Sequence, residues 1–482
     1  MLEGFLISLC LYIILFKRQY NPKKKGFGAR PPDKLTEEEI DDLVEEWKPE
    51  PLLASLPKTN ALTKRSDVVV EEVKGAHVKV RGMGKQRVVN FASFDFLNVA
   101  TEKSVKDSAI KILDSHGCGS CGPRGFYGTF DSHLNLENAL AKFYGTEAAI
   151  IYSDTVSTSS SVIPAFAKRG DLIVADEGIS APLLVGLRLS RAKIVLFKHN
   201  DMKDLREKLE DVAEKYRRQG RKLEDQKRFI VVEGLYRDHA DFAPLRKIVD
   251  LKKEFKYRVV VDDSYGCFAC GKTGRGVLDH ARVGIKEVDI FVGSMATTLG
   301  SVGGFCASTN EIVGHQRLSG AGYCFSASQP PFTAESARVA LDMFIAKPDS
   351  ERRQKLVENI AAFRSALKRV DGVDVIGDDK SPITYVRLDK KLAKRFPSRD
   401  KQECLLEEVS DIALSNGFLF RRAIFRPHWS LKKNSLTTPV PPAALRLTVS
   451  CAHTKSELEG VVDALTGALQ KATSSSGASK EE

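Results

Sequence analysis

A carboxylate followed by a glycine-rich loop is the first feature of this sequence that could do chemistry. Asp262 follows the apolar, β-branched run Val259–Val261, and the segment continues through several glycines to Gly276. In an α/β sheet, ligands bind outside the carboxyl ends of the strands, which is where this side chain is expected. A second interpretation is that Asp262 only caps the loop that follows it. The position therefore predicts either a ligand site or a structural cap.

A second stretch, Val288–Cys306, contains the position at which covalent chemistry would take place. Its apolar start predicts a buried strand, and Gly300, Gly303 and Gly304 permit tight turns at its end. This outline resembles the lysine segment of the α-oxoamine synthases, pyridoxal-phosphate enzymes that condense an amino acid with an acyl-CoA. The lysine that forms the family's Schiff base corresponds to Thr297. A hydroxyl cannot form an imine with an aldehyde, so the chain lacks this catalytic residue.

Two more motifs of the family are present with altered residues. The resemblance places Asp262 at the aspartate that pairs with the pyridine nitrogen of the cofactor, whereas Tyr265 replaces a histidine of the same motif. Ser180 stands where the family has the histidine that stacks on the cofactor ring, and Glu233 keeps its place in a Glu-Gly-Leu-Tyr segment. Together with Thr297, these five positions are interpreted as a vestigial cofactor pocket.

Four segments narrow the resemblance to the lysine-free subunit of the heterodimeric, sphingolipid-forming members of the family. They are Asn90–Asn98, Cys121–Glu137, Phe197–Met202 and Arg317–Pro331. The resemblance implies a heterodimer in which a lysine-bearing catalytic partner binds pyridoxal phosphate, and this chain supports and completes the partner's site. The implied reaction condenses L-serine with palmitoyl-CoA to 3-ketodihydrosphingosine. Small regulatory membrane subunits are further expected partners.

The resemblance also indicates which segments meet the partner. The glycine-rich loop Gly117–Gly128 and the turn Phe325–Ser328 are expected to contribute to the shared site, because in homodimeric relatives that turn donates a hydroxyl to the cofactor phosphate of the opposite subunit. Arg446 corresponds to an arginine that holds the substrate carboxylate in catalytic members. The residues predicted at the partner interface are Cys121, Arg124, Phe126, Tyr127, Ser326 and Ser328.

Two other functions are compatible with the same residues. One is an active homodimeric α-oxoamine synthase that uses another lysine; Lys272 and Lys286 are nearby in the sequence, although neither lies in the motif. The other is a scaffold that binds regulatory membrane proteins and contributes nothing to catalysis.

Composition and charge limit the class of protein. The 482 residues, 42% hydrophobic and 28% charged, are typical of a globular protein. A net charge of +11 suits a membrane surface or an anionic ligand such as CoA, and the sequence has no zinc-finger spacing or RNP-type motif that would favour nucleic acid. The nine cysteines are spread along the chain, which favours a reducing compartment.

Two patterns in the cysteine-containing segments are weak. Gly117–Gly122 has the spacing of a dinucleotide-binding loop, but a helical pattern precedes it where a strand is required. Cys118 and Cys121, together with Cys267 and Cys270, could supply four thiolates to zinc. A long stretch of chain separates the two pairs, so buried or incidental cysteines are favoured and no metal site is predicted.

The amino terminus predicts a membrane anchor within residues 1–20. Gly4–Phe16 is apolar and is followed by lysine and arginine residues, so the positive-inside rule places the body in the cytosol. A helix of about thirteen residues spans about 20 Å, short of the ~30 Å hydrocarbon core. We expect the segment either to tilt shallowly or to be part of a span whose earlier residues are absent from this chain. An uncleaved anchor is favoured over a secretory signal peptide, because Glu3 precedes the apolar run and the basic residues follow it. The resemblance implies the endoplasmic reticulum membrane.

Residues 21–90 are predicted to contain a basic linker, an amphipathic helix and an N-terminal arm. Thr36 and Glu39 form a capping box in front of the helix. Its apolar stripe consists of Ile40, Leu43, Val44 and Trp47.

From about Val68 the sequence predicts an α/β fold, and the resemblance implies a fold-type-I aminotransferase-like architecture. Apolar runs alternate with polar helical stretches, which indicates a large, mostly parallel sheet covered by helices on both faces. A large domain is expected over residues 91–345, a smaller C-terminal α+β domain over 346–472, and a disordered tail over 473–482. The predicted strands are Ala148–Tyr152, Leu172–Ala175, Ile194–Phe197, Phe229–Val232, Val259–Val261, Val288–Val292, Ile383–Leu388 and Leu445–Val449.

Overall fold

A computed structural model describes residues 36–47, 67–220, 226–346, 351–425 and 439–478. The chain divides into one unit that ends at Lys58 and a second, much larger unit from Thr59 to Glu482. The predicted anchor Gly4–Phe16 and the basic linker after it lie outside the described residues. Among the residues that are described, no helix combines the length and the apolar character that a membrane span requires.

The first unit contains the predicted amphipathic helix, α1, over Glu37–Glu46. Its first turn closes with a hydrogen bond of 3.0 Å from the amide of Ile40 to the carbonyl oxygen of Thr36. This confirms the helix and its start. The side chains of its apolar stripe are exposed, including Trp47.

The second unit is built on a central sheet in which seven described strands have the order β4-β10-β9-β8-β7-β5-β6. The strands β5 to β9 are parallel, and β10 is antiparallel to both β4 and β9. All six strands predicted in this part of the chain are confirmed to within two residues, whereas β10 was not predicted. The bounds are β4 Ala148–Tyr152, β5 Leu172–Asp176, β6 Lys193–Phe197, β7 Arg228–Glu233, β8 Arg258–Asp262, β9 Ile290–Ser294 and β10 Gly304–Ser308.

Helices cover both faces of this sheet, as alternate residues of β10 demonstrate. Phe305 lies 5.6 Å from the ring of Tyr144 on one face, while a Cβ on Gly304 would meet Thr158 on the other. The helices of this part are α2 Lys103–His116, α3 Asp131–Tyr144, α4 Thr155–Phe166, α5 Ala181–Ser190, α6 Met202–Arg218, α7 Leu245–Phe255, α8 Val277–Ala281, α9 Asn310–Ser319, α10 Ala321–Cys324 and α11 Pro331–Ala346, with a short 3-10 helix over Ile285–Glu287.

Two smaller sheets complete the second unit. The arm strands β1 Val70–Lys74, β2 His77–Val80 and β3 Arg87–Asn90 form a sheet with β13 Phe418–Leu419. The carboxyl-terminal part forms a sheet from β11 Val373–Ile376, β12 Ile383–Leu388, β15 Leu445–Thr448 and β14 Arg421–Arg422, which confirms both strands predicted there. Its helices are α12 Glu351–Leu367, α13 Lys390–Arg395, α14 Arg399–Ser415 and α15 Lys455–Ala478.

The last helix runs past the point at which the sequence predicted a disordered tail. Helix α15 continues to Ala478, five residues beyond Thr473. The hydroxyl of Thr473 donates to the carbonyl oxygen of Leu469 at 2.8 Å, and Ala472 is fully buried. Ala472 and the apolar residues before it therefore pack the helix against the body, and the helix continues beyond them. The sequence after Thr473 has no apolar face, so it gave no sign of this continuation.

Candidate functional site

The carboxyl ends of the parallel strands meet at one edge of the central sheet, and buried acidic side chains lie on three of them. Asp176, Glu233 and Asp262 are the last residues of β5, β7 and β8. Glu233 and Asp262 are direct register partners on neighbouring strands. The structure thus gathers these groups at the edge where an α/β sheet binds its ligands.

Thr297 lies at the same edge, in the turn between β9 and β10. Its side chain is buried, and its Oγ1 donates a hydrogen bond of 2.9 Å to the carbonyl oxygen of Ser264. The turn needs glycine at Gly300, which has a φ of 61°, because a Cβ there would lie 2.7 Å from the Cα of Ala100. The predicted turn is confirmed, and Thr297 places a hydroxyl group in it.

Asp262 is a buried carboxylate whose hydrogen bonds are made within the chain. Its Oδ1 accepts the amide of Ser264 at 3.0 Å and the Ser264 hydroxyl at 2.6 Å, and its Oδ2 accepts the hydroxyl of Ser159. Burial raises the pKa of Asp262 above its ordinary value, and the two hydroxyls oppose that rise. The hydrogen bond from the Ser264 amide is the loop cap expected in the second interpretation of Asp262. A cofactor nitrogen would have to compete with the hydroxyls for this carboxylate.

Glu233 fixes the start of helix α5. Its Oε1 accepts the amide of Ser180 at 2.6 Å, and its Oε2 accepts the amide of Arg237 at 2.9 Å. Burial, followed by the charge of Asp262, raises the pKa of Glu233 to about 8. Ser180 is the N-cap residue of α5 and makes no capping bond with its hydroxyl. Its side chain offers no ring face for stacking.

Tyr265 packs edge-on against Phe94, with 5.0 Å between the ring centroids. Burial raises the pKa of the Tyr265 phenol to about 12, so it stays protonated at neutral pH. The guanidinium carbon of Arg446 lies 4.7 Å from the centroid of the Phe94 ring. Tyr265 and Arg446 therefore contact the same phenylalanine, and the arginine stacks on its ring.

The amino end of helix α4 begins at the same edge, because β4 and β9 both pair antiparallel with β10. A helix amino terminus is where such a site could hold a phosphate. Here the carboxylate of Asp154 accepts the amide of Ser157 at 2.7 Å. A carboxylate of the chain thus occupies one of the donors that a phosphate would use. With Thr297 in place of lysine as well, these residues do not fit covalently bound pyridoxal phosphate.

The two segments predicted to reach a partner are hydrogen-bonded to each other. The amide of Ser328 donates to the carbonyl oxygen of Gly122 at 2.9 Å, and the hydroxyl of Ser120 donates to the carbonyl oxygen of Ser328 at 2.8 Å. The approach is so close that a Cβ on Gly128 would lie 2.7 Å from the hydroxyl oxygen of Ser328. The loop and the turn therefore form one surface.

The six predicted interface residues divide into exposed and buried groups. Phe126 and Tyr127 are 76% and 94% exposed, and Phe325, in the neighbouring turn, is 86% exposed. Arg124 is buried and makes a bidentate ion pair with Glu137 on α3 at 2.9 and 3.1 Å. The exposed positions also include Cys121, while Ser326 is half-buried and Ser328 is buried. Arg124 and Ser328 hold this surface from inside the chain instead of presenting contacts of their own.

A charged cluster around His199 was not predicted. Its Nδ1 lies 2.9 Å from Asp176, and its Nε2 lies 3.1 Å from both carboxylate oxygens of Asp241. Burial alone would lower the pKa of His199, but the two carboxylates outweigh it and raise the pKa to about 10. The ring of His239 lies 4.0 Å away, and burial, together with the charge of His199, lowers its pKa to about 4. His199 in the segment Phe197–Met202 was the available signal, whereas its partners Asp176 and Asp241 lie far from it in the sequence.

The cysteine pairs lie in different surroundings. Cys118 and Cys121 are exposed in the loop, whereas Cys267 and Cys270 are buried. The Cys267 thiol lies within hydrogen-bonding distance of the carbonyl oxygens of Ser264 and Ser294, and burial raises its pKa well above the ordinary value. Within the described parts of the chain, no group of three or more histidine, cysteine or acidic residues could hold a metal ion.

Comparison with known proteins places this geometry in context. Residues 86–465 match the family model for aminotransferase class I and II. Long chain base biosynthesis protein 1 of Arabidopsis thaliana is 38% identical over 95% of this chain and 88% of its own length. Serine palmitoyltransferase 1 of Dictyostelium discoideum is 36% identical over 92% of this chain and 88% of its own length.

Solved structures are similar over the same body. A serine palmitoyltransferase from Sphingomonas wittichii has a TM-score of 0.72 at 26% identity, covering 86% of this chain and 95% of that one. A high-resolution structure of SPT with a PLP internal aldimine has a TM-score of 0.72 at 25% identity, covering 85% of this chain and 95% of that one.

Proposed function

Because this chain belongs to the class I and II aminotransferase family and, within it, to the serine palmitoyltransferase subunit 1 group, we propose that it works beside a lysine-bearing partner that holds the cofactor. The chain is a subunit of serine palmitoyltransferase, an acyltransferase of sphingolipid long-chain-base synthesis. The reaction proposed for the heterodimer condenses L-serine with palmitoyl-CoA and yields 3-ketodihydrosphingosine, carbon dioxide and CoA.

The observation that supports assigning the cofactor to the partner is Thr297, a hydroxyl residue in an otherwise well-formed turn. Pyridoxal phosphate supplies the electron sink for such condensations when it is held as an imine by a lysine amine. This chain has a hydroxyl at that position, and Asp262 is engaged by Ser159 and Ser264. The covalent chemistry is therefore assigned to the partner subunit, and no catalytic residue is assigned to this chain.

The contribution of this chain is the surface made by the loop Gly117–Gly128 and the turn Phe325–Ser328. Large aromatic side chains left in solvent mark protein interfaces, and Phe126, Tyr127 and Phe325 form such a group. The bond from Ser328 to Gly122 and the Arg124–Glu137 ion pair hold the group in one conformation. A rigid surface of this kind suits the completion of a shared active site.

Residues 1–20 are proposed to attach the subunit to the endoplasmic reticulum membrane, with the body in the cytosol. The support is the apolar run Gly4–Phe16 followed by Lys17 and Arg18. Small regulatory membrane subunits are proposed as further partners. Glycosylation of a sequon engineered into an exposed loop of the body would show that the body lies in the lumen and would contradict this orientation.

An active homodimer receives no support from the position of the other lysines. Lys286 precedes strand β9 and so lies at the opposite edge of the sheet from Thr297. Lys272 is exposed. The scaffold alternative differs from the proposal only in whether this chain is needed for turnover.

The deciding experiment purifies the chain alone, the lysine-bearing partner alone and the two together. Visible absorbance of the cofactor and the rate of serine condensation are measured for each. The proposal expects cofactor absorbance with the partner and with the complex, and full turnover only with the complex. Full turnover by the partner alone would favour the scaffold, and an absorbing, active sample of this chain alone would revive the homodimer.

A further inference from the structure

The edge of the central sheet opposite the vestigial cofactor pocket is strongly basic. Each parallel strand is entered from this edge, and basic residues recur at these entries. The register of the strands places Lys193 beside Leu172, Leu172 beside Arg228, and Phe229 beside Arg258. With strands about 4.8 Å apart, these entries span about 15 Å. The basic edge, as we define it, consists of the exposed residues Lys168, Arg169, Arg191, Lys193, Lys227 and Arg258.

The positive charge of the basic edge is not neutralised by the described part of the chain. None of its six residues forms an ion pair with another described residue. Nearby carboxylates are already engaged: Glu254 by Arg206 at 2.6 Å and Asp289 by Lys252 at 2.6 Å.

Among the described residues, Asp171 is the carboxylate closest in sequence to this edge, and its hydrogen bonds go to the backbone. It accepts the amide of Lys168 at 2.8 Å and that of Lys227 at 3.1 Å. These bonds fold the loops so that the two lysine side chains stand at the same edge. The chain therefore positions an excess of positive charge at this edge, and no described carboxylate forms an ion pair with it.

Favourable interaction with helix ends does not explain the arrangement. Cations stabilise the last turn of a helix because its carbonyl groups carry partial negative charge. Arg191, which directly follows α5, fits that explanation. Lys168, which follows the end of α4, fits it as well. In contrast, Lys193, Lys227 and Arg258 begin or precede strands and lie outside the last turn of any described helix.

We propose that the basic edge is a docking surface for an anionic lipid bilayer. Lysine and arginine side chains near an anionic leaflet gain attraction that falls off within a Debye length. Leu189 is 59% exposed in the last turn of α5, two residues before Arg191, so an apolar side chain stands beside the positive charges. The combination of exposed basic and aliphatic side chains suits a lipid headgroup region.

Nucleic acid is the less favoured occupant of the basic edge. Binding of single strands uses aromatic rings on which bases stack. The strongly exposed aromatic rings of the described body, Phe126, Tyr127 and Phe325, belong to the loop-and-turn surface and not to this edge. The basic edge is separated from the pocket by the five-residue length of the strands, about 16 Å.

The test uses the full chain purified with its partner in phosphatidylcholine nanodiscs. Flotation with added vesicles measures binding to phosphatidylcholine alone and to phosphatidylcholine containing phosphatidylserine. The edge variant combines Lys193→Gln, Lys227→Gln and Arg258→Gln. The control variant combines Lys390→Gln, Lys391→Gln and Lys394→Gln, three exposed lysines of α13, and so has the same net charge.

We expect the wild-type complex to bind only vesicles that contain phosphatidylserine, and less at high salt. Each neutralised charge should weaken binding about fivefold, so the edge variant should bind about a hundredfold more weakly, while the control binds as wild type. Both variants should keep the thermal midpoint and the condensation rate of the wild type. Equal losses in both variants, binding without phosphatidylserine dependence, or a wild-type complex that binds RNA but not these vesicles would each overturn the proposal.

Discussion

The hydroxyl of Ser159, on helix α4, donates a hydrogen bond to Oδ2 of Asp262 at the end of strand β8. The second oxygen of this carboxylate is taken by the amide and hydroxyl of Ser264, whose carbonyl oxygen in turn accepts the hydroxyl of Thr297. Ser264 thus connects Asp262 with Thr297 through its hydroxyl, its amide and its carbonyl oxygen. Replacing Thr297 with lysine therefore leaves the hydrogen bonds of Ser159 and Ser264 to Asp262 in place.

We therefore expect the isolated Thr297→Lys variant to form no stable imine with pyridoxal phosphate. The new amine would find Asp262 engaged, Ser180 unable to stack and the carboxylate of Asp154 at the helix terminus that a phosphate needs. Visible absorbance and borohydride reduction followed by mass measurement check this, with the wild type as control. A stoichiometric reduced adduct on the variant would show that the pocket is intact apart from its lysine.

The buried ion pair between Arg124 and Glu137 should be essential to the loop. Arg124→Met leaves Glu137 buried with only Arg317 nearby at 3.5 Å, and breaking a buried pair costs about 3–5 kcal/mol of unfolding free energy. Urea unfolding measures the loss. Glu137→Gln keeps an acceptor for the amide of Ile151. The variant with both Arg124→Met and Glu137→Gln should therefore lose less unfolding free energy than Arg124→Met alone. A double variant that is less stable than the single would contradict the argument.

Cys121 has a φ of 56°, in the left-handed region that favours glycine. Cys121→Val places a β-branched side chain there and should cost about 1–2 kcal/mol, whereas Cys121→Gly should be neutral or slightly stabilising. Valine is larger and glycine smaller than cysteine, but the position is exposed, so packing inside the chain does not decide which variant is more stable. Thermal unfolding of the isolated chain checks it, and a valine variant as stable as the glycine variant would be inconsistent with the left-handed conformation.

The His199 cluster predicts a pH dependence of stability. The pKa of this histidine is raised in the folded state to about 10, from an ordinary value near 6.5, so its contribution is fully present below about pH 6.5 and is lost as the pH rises toward 10. The unfolding free energy of wild type minus that of His199→Gln should therefore be largest near pH 6 and shrink toward pH 10. Asp241→Asn should show a smaller difference of the same sign. A difference that does not change with pH would mean that the histidine is neutral in the folded protein.

The exposed aromatic pair Phe126 and Tyr127 should contribute strongly to binding of the partner. Truncation of buried interface aromatics typically costs about 2 kcal/mol or more, about a thirtyfold loss of affinity. The variant with both Phe126→Ala and Tyr127→Ala is compared with Val357→Ala, which shortens an exposed side chain on α12. Affinity for the lysine-bearing partner is the measurement, and equal affinity of the two variants would place the interface elsewhere.

The sequence predicted the parallel part of the central sheet well, because its strands are short apolar runs that a helical period cannot explain. Strand β10, Gly304–Ser308, was missed for a physical reason. Its glycine start was assigned to the preceding turn, and its small residues carry little β-propensity. Its place is determined by pairing with β4 and β9, which only the folded chain shows.

The candidate site was predictable where it follows a motif, and not where it depends on side chains distant in sequence. Thr297 and Asp262 lie at one edge because the strands are parallel, as their spacing along the chain predicts. The bond from Ser159 joins residues 103 positions apart, and no local pattern reveals it. Likewise, the burial of Arg124 depends on Glu137 of the next helix, so the sequence placed Arg124 at the partner interface without showing that it is buried.

The hydrogen bond from Ser120 to Ser328 spans 208 positions of the chain, so during translation the first residue waits for the second to be synthesised. A ribosome adds about 5–20 residues per second, so about 10–40 s pass between the synthesis of the loop and the arrival of the segment that anchors it. Strand β4 waits similarly for β10, with which it pairs along its whole length. The nascent chain therefore carries an unfinished sheet edge and an unanchored aromatic loop while about 200 further residues are added, and becomes competent to receive another subunit only after Ser328 has been made.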